Sequence, residues 1–159
     1  MSAQRATVIN VPQALRAKVG GMPALDATAI AKAEEALKAL SANFDQWLND
    51  EIEKLEHARG AVHAHGLTMA TAEALYFRAH DLKGLGATYE FPLVTKLAGS
   101  LCKLLDNVER RLEAPMMLVD AHIDAIRAVV RDGIRDPSHP IGQALTNELQ
   151  KQVKHHLGE

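Results

Sequence analysis

The chain has 159 residues, of which 47% are hydrophobic and 24% charged, and a formal net charge of -2. That length favours one hydrophobic core over two, and the near-neutral balance argues against nucleic-acid binding, a charged membrane-surface role and disorder. The single cysteine, Cys102, rules out an intrachain disulfide, and with neither a signal-peptide pattern nor an apolar run of about 20 residues, a cytoplasmic protein without membrane contact is expected.

Residues 1–25 carry Val8, Ile9, Val11, Leu15, Val19 and Met22 as scattered apolar points, punctuated by Pro12, Gly20, Gly21 and Pro23. They read as an N-terminal arm with a short helix from about Pro12 to Val19, with disorder as the alternative. Asp26 can cap a helix reaching about Leu40, whose stripe of Ile30, Leu37 and Leu40 is thin. Asn43 and Gln46 form a capping box for a second helix, with Phe44, Trp47, Leu48, Ile52, Leu55 and Val62 at helical spacing and an end near Gly60 or at His65 and Gly66.

Thr68 or Thr71 opens a third helix over about residues 68–91, closed before Pro92. Pro92 suits the first turn of the next helix, along which Leu93, Val94, Leu97, Leu101, Leu104, Leu105, Val108 and Leu112 make the cleanest apolar stripe of the chain. Pro115 restarts the chain, Val119, Ile123, Ile126 and Val130 recur until Gly133, and a last helix follows from Ser138 or Pro140 with Ile141, Leu145, Leu149 and Val153. No stretch alternates apolar and polar residues. The expected fold is therefore all-α, an antiparallel up-and-down four-helix bundle with extra N-terminal and C-terminal helices, forming a single domain over residues 26–159.

The third helix breaks the pattern of the others by carrying Gly84 and Gly86, each of which costs about 1 kcal/mol relative to alanine in a helix interior. At roughly 100° per residue, Leu75, Leu82, Leu85 and Tyr89 fall opposite His80, whereas Tyr76, Lys83, Gly84 and Ala87 lie within about 60° of it. His80 is thus expected to face away from the core. Gly84 shares its face and clears an approach, while Gly86 lies about 240° round, where close helix packing is the better reason for a glycine. An exposed imidazole is a competent nitrogen nucleophile, and Lys83 stands where it could balance an anion placed on the ring. No Walker-type loop, kinase signature or magnesium-binding acidic cluster accompanies them, which leaves a histidine carrier whose partners supply the catalysis.

His80, Leu82, Lys83 and Gly84, followed by Gly86 and Ala87 and by Leu97 and Leu101 on the next helix, resemble the histidine-containing phosphotransfer domain of bacterial two-component phosphorelays. Phe77-Arg78-Ala79 and Thr88-Tyr89-Glu90-Phe91 are also similar to the phosphotransfer domain of chemotaxis histidine kinases, and the likeness covers about residues 70–112. The resemblance implies that His80 accepts a phosphoryl group on Nε2 from a receiver-domain aspartate and relays it to another response regulator. Lys83 would steady the phosphoryl group, and Tyr76, Ala79, Gly84 and Ala87 would line the docking face. It further implies no cofactor beyond magnesium on the partner receiver, no kinase activity and a hybrid histidine kinase among the partners, while a single exposed docking face suggests a monomer. Two positions depart from the family: Glu90 stands where glycine is frequent, and Cys102 where the second bundle helix often has glutamate.

Two other readings keep part of this pattern. A helical adaptor could dock a receiver without carrying phosphate, and the His80-Asp81-Leu82-Lys83 start overlaps with the phosphoacceptor helix pair of a histidine kinase, which needs an ATP-binding domain that this chain has no room for. His63 and His65 are not expected to bind metal, since two residues two apart on a helix point in different directions. His122 between Asp120 and Asp124, and the pair Arg110 and Arg111, read as solvated faces; Lys96 and Lys103 could favour an acidic partner. Cys102 reads as a small, partly buried residue without redox function.

Overall fold

The computed structural model describes residues 23–159, with side chains from Asp26 onward. The N-terminal arm and its short helix lie outside the described residues. Five α-helices follow in order: α1 (Pro23–His65), α2 (Met69–Leu85), α3 (Pro92–Leu105), α4 (Met116–Arg131) and α5 (Pro140–Leu157), with a 3-10 turn at Arg111–Glu113. Among the described residues there is no strand, so the fold is all-α. None of these helices is long and apolar enough to cross a membrane. The chain divides into two compact units, Met1–Asn43 and Phe44–Glu159, and the core cluster and every candidate site residue belong to the second.

The two helices expected before Thr68 are one, α1, running through Asn43 without a break. Neither proline nor glycine occurs between Ala24 and Arg59, and an exposed asparagine costs a helix only a few tenths of a kcal/mol, too little to end one. Its Phe44–His65 portion turns Leu48, Ile52, Leu55, Ala58 and Val62 into the core. Thr68 is the N-cap of α2: its hydroxyl accepts from the Thr71 backbone N–H while the Thr71 hydroxyl accepts from Thr68 N–H, a reciprocal capping box.

Helix α2 ends at Leu85, earlier than the expected 91, and residues 86–90 form a turn that stops the chain in a defined way. Phe91 N–H donates to the Gly86 carbonyl at 2.8 Å and Glu90 N–H to that of Ala87 at 3.1 Å, a Schellman pattern whose left-handed position is Glu90, at φ 68°. The helix break at Glu90 therefore occurs without the glycine that such a position favours. Pro92 then begins α3.

Helix α3 supplies the centre of the core, burying Leu93, Val94, Leu97, Ala98, Leu101, Leu104 and Leu105, and it packs against α2, α4 and α5. It stops at Leu105 rather than continuing to Leu112. The Asn107 side chain accepts hydrogen bonds from the Glu109 and Arg110 backbone N–H groups, at 2.9 and 3.2 Å, and this local alternative competes with the helix ladder. Val108 and Leu112, expected on the stripe, are exposed instead.

Side-chain pairs tie the Phe44–His65 portion of α1 to α4. Arg59 pairs with Glu56 and donates to Asp124 at 2.8 Å, Arg127 donates to Glu56 at 2.8 Å, and His63 meets Asp120 at 3.0 Å. Burial pushes the Glu56 carboxyl up, but hydrogen bonds from Arg127 and Arg59 outweigh it and hold the group below the usual carboxylate range. Asp124, Arg127 and His63 are exposed, and pairs reaching such groups contribute at most about 1 kcal/mol each, so they set the register of the Phe44–His65 portion of α1 on α4 while the apolar core supplies stability.

His122 departs from expectation most sharply. It is fully buried, with Nδ1 2.7 Å from the Leu118 carbonyl and Nε2 2.9 Å from the Ser100 hydroxyl. A carbonyl can only accept, so Nδ1 carries the proton; burial favours the neutral ring, in which Nε2 accepts from Ser100 O–H and both nitrogens are satisfied. Burial lowers its pKa, against a smaller opposing effect of the Leu118 carbonyl.

Candidate functional site

The face of α2 around His80 follows from the angular position of each residue. Leu75, Ala79 and Leu82 point into the core with no exposed surface, whereas His80, Lys83, Gly84 and Ala87 are exposed. Ala79, expected on the docking face, lies instead about 100° behind His80 and packs in the core, where no partner reaches it. Of the other expected residues, His80, Lys83, Gly84 and Ala87 are exposed, the last three within about 60° of His80 on the helical period, and Tyr76 is half-buried.

Among the described residues no hydrogen bond or ion pair engages the His80 imidazole; its one ring neighbour is Tyr76, with centroids 6.1 Å apart. Among the described residues a Cβ on Gly84 would meet nothing within 4 Å, so the backbone one turn from His80 is open. Gly86 is the opposite case. A Cβ there would stand 2.6 Å from the Thr95 backbone nitrogen and 2.7 Å from its hydroxyl, so this glycine lets the end of α2 pack on the start of α3. The contact is reinforced by Ala87 N–H donating to Thr95 Oγ1 at 2.8 Å.

Lys83 lays its stem along α3, close enough that a Cβ on Gly99 would touch its Cγ, Cδ and Cε at 3.8–3.9 Å. It forms no ion pair among the described residues. Other charges nearby are already matched: Lys54 of α1 pairs with Glu51 at 2.6 Å, and Arg78 approaches Asp81 at 3.9 Å. Glu51, Lys54, Arg78, His80, Asp81 and Gly84 line one shallow surface depression. Lys83 is thus an exposed cation, one turn from His80 in sequence, with no ion pair among the described residues.

Tyr76, expected to dock a partner, is half-buried and held from several sides. Its hydroxyl donates to Asp106 Oδ1 at 3.2 Å, and the Arg111 guanidinium lies 5.2 Å from its ring centre. Burial and the Asp106 bond both raise the phenol's pKa. The outward-facing aromatic is Phe77, 55% exposed and edge-on to Tyr76 at 5.9 Å. Phe77 lies about 60° from His80 and so falls on the same face by the helical period as Tyr76 does.

Arg111 is buried rather than solvated, whereas Arg110 pairs with Glu113 at the surface. No pattern in the sequence marks Arg111 for burial, because the turn that turns it inward is set by Asn107 and the 3-10 segment. Cys102 is buried, and burial raises its thiol to about 11 despite the nearby Lys83 charge. Lys103 pairs with Glu159 at 3.0 Å, whereas Lys96 stays exposed without an ion pair among the described residues. Among those residues no three His, Cys, Asp or Glu side chains converge to hold a metal.

Comparison of the chain with protein-family models, curated proteins and solved structures finds no match. The chemistry of the site rests on its own residues.

Proposed function

We propose that this protein is a histidine phosphotransfer protein that accepts a phosphoryl group on His80 from the phosphorylated aspartate of a receiver domain and relays it to another response regulator. The observation that carries this reading is the face itself: among the described residues, an exposed imidazole without hydrogen-bond partners, a lysine without an ion pair, and an open glycine one turn on. An ordinary solvated helix face is filled with strong helix formers and i,i+4 pairs, and Gly84 is neither.

In the proposed transfer, the lone pair of a His80 ring nitrogen attacks phosphorus; the N–P bond forms as the bond to the aspartyl oxygen breaks, and the carboxylate leaves with the electron pair. The Lys83 ammonium, on its stem against α3, offers charge-assisted hydrogen bonds to the phosphoryl oxygens. Gly84 and Ala87 leave room for the partner backbone, and Phe77 offers it an apolar contact. Magnesium bound by the receiver would neutralise charge from the other side.

The fold reading that accompanies this proposal is an antiparallel up-and-down four-helix bundle of the Phe44–His65 portion of α1 with α2, α3 and α4. It is supported by the packing of α2 on α3 and of α3 on α4, and by the pairs from α1 to α4 that close the ring. A cytoplasmic monomer with one docking face, serving receivers and a hybrid kinase, completes the proposal.

The test is incubation with a phosphorylated receiver domain, followed by measurement of acid-labile label and intact mass. One phosphoryl group on wild type and none on His80→Gln is expected; equal labelling of the two would overturn the assignment. Stable binding without a mass increase would make the protein a receiver-binding adaptor instead.

A further inference from the structure

Tyr76 is the one ring beside His80 among the described residues, and it is itself the most heavily restrained residue on that face. It precedes His80 by one helical turn, and the two rings lie 6.1 Å apart with their planes 38° to each other, a tilted geometry within the favourable range for aromatic pairs. The phenol oxygen is anchored 3.2 Å from Asp106 at the end of α3. The ring is covered by the Arg111 guanidinium at 5.2 Å. Arg111 is 6% exposed; among the described residues its Nε has no hydrogen-bond partner, and its Nη2 reaches the Asp106 carbonyl at 3.5 Å.

Burying a guanidinium without a carboxylate is unfavourable, and the ring of Tyr76 is what the arrangement gains in return. Asp106 and Arg111 therefore grip one aromatic ring from its hydroxyl and from its face, and that ring borders the imidazole. We infer that Tyr76, clamped by Asp106 and Arg111, is a positioning residue that fixes the orientation of the His80 imidazole. Its effect on phosphoryl transfer rests on the reading of His80 as phosphoacceptor; its effect on the imidazole does not. A held imidazole arrives at an incoming phosphorus already oriented, and loss of that alignment slows the step within the complex without weakening docking.

The experiment uses the full chain with Tyr76→Ala, Asp106→Ala and Asp106→Asn, each checked for folding by its thermal transition. Single-turnover transfer from a phosphorylated receiver is measured over a range of receiver concentrations. Tyr76→Ala is expected to lower the limiting first-order rate about 10- to 100-fold while the half-saturating concentration changes less than about twofold. Asp106→Ala should follow in the same direction, with rescue by Asp106→Asn, which keeps an acceptor for the phenol. An unchanged limiting rate, or a change confined to half-saturation, overturns the inference while leaving the phosphocarrier reading intact.

The second readout needs no partner. The ring-proton NMR signals of His80 should carry the ring-current shift of Tyr76, move in Asp106→Ala, and return toward wild type in Asp106→Asn. If the wild type accepts no phosphoryl group, the phosphocarrier reading falls and these signals alone decide the inference: movement and rescue uphold the clamp, and signals indifferent to Asp106 overturn it.

Discussion

Replacing Gly84 and Gly86 separately by alanine probes two glycines that share a helix end for different reasons. At Gly84 the new Cβ meets nothing within 4 Å and the backbone is helical, so Gly84→Ala gains helix propensity and loses unfolded-state entropy at no steric cost, a stabilisation of about 0.5–1 kcal/mol. At Gly86 the Cβ would stand 2.6 Å from the Thr95 backbone nitrogen, which cannot swing aside as a side-chain tip can. The end of α2 must move off α3, at a cost of about 1–3 kcal/mol for overpacking and about 1 kcal/mol more if Ala87 N–H loses Thr95. The assay is urea unfolding followed by circular dichroism, with thermal midpoints alongside. At about 2–4 °C per kcal/mol for a chain of this size, the midpoints should move in opposite directions. A fall in stability for Gly84→Ala as large as that for Gly86→Ala would refute the assignment of one glycine to the open face and the other to packing. In the transfer assay, Gly84→Glu should keep the fold and block receiver-dependent labelling through steric and charge conflict.

Further outcomes follow from particular residues. Glu90→Gly should raise stability by about 1 kcal/mol in the same unfolding assay, because the residue sits at φ 68° where a Cβ is strained. The pKa of His122 is lowered from 6.5 in the folded protein, so the unfolded chain takes up the proton first: stability is full above about pH 6.5 and falls as pH drops through that value toward the folded pKa. The slope is at most about 1.4 kcal/mol per pH unit, and the wild-type advantage over His122→Leu should shrink between pH 7.5 and 5 at a rate within that bound; a constant difference would contradict the buried neutral state. Cys102, buried with its thiol raised to about 11, should react with a thiol reagent at neutral pH only at the rate of unfolding, and rapid labelling of the native protein would contradict that burial.

Where one residue carried a strong local signal, the fold was legible in the sequence. Thr68 caps α2, Pro92 opens α3 and Pro140 opens α5, each by chemistry that acts within one turn. The errors came where a weak local signal met a competing one. Asn43 resembles a cap but stands in a run that nothing interrupts, and Asn107 ended a helix whose apolar stripe argued for continuation. His122 looked solvated between Asp120 and Asp124, yet it lies about 20° from Val129 around α4 and so on the core side, which the angular argument applied to His80 would have shown. On the site face, the exposure of His80, Lys83, Gly84 and Ala87 was readable from the helical period. The burial of Ala79 and the hold on Tyr76 were not readable because a single helix cannot say which neighbour closes over its flanks: the core takes Ala79, while Asp106 and Arg111 arrive from the end of α3 and the turn beyond it to hold Tyr76 beside His80.

The central claim is tested most directly by the intact mass of the protein after brief exposure to a phosphorylated receiver domain. The account predicts one added phosphoryl group, lost on acid treatment, located on His80 and absent from His80→Gln. A wild-type mass that never increases, or an increase that survives in His80→Gln, would contradict it.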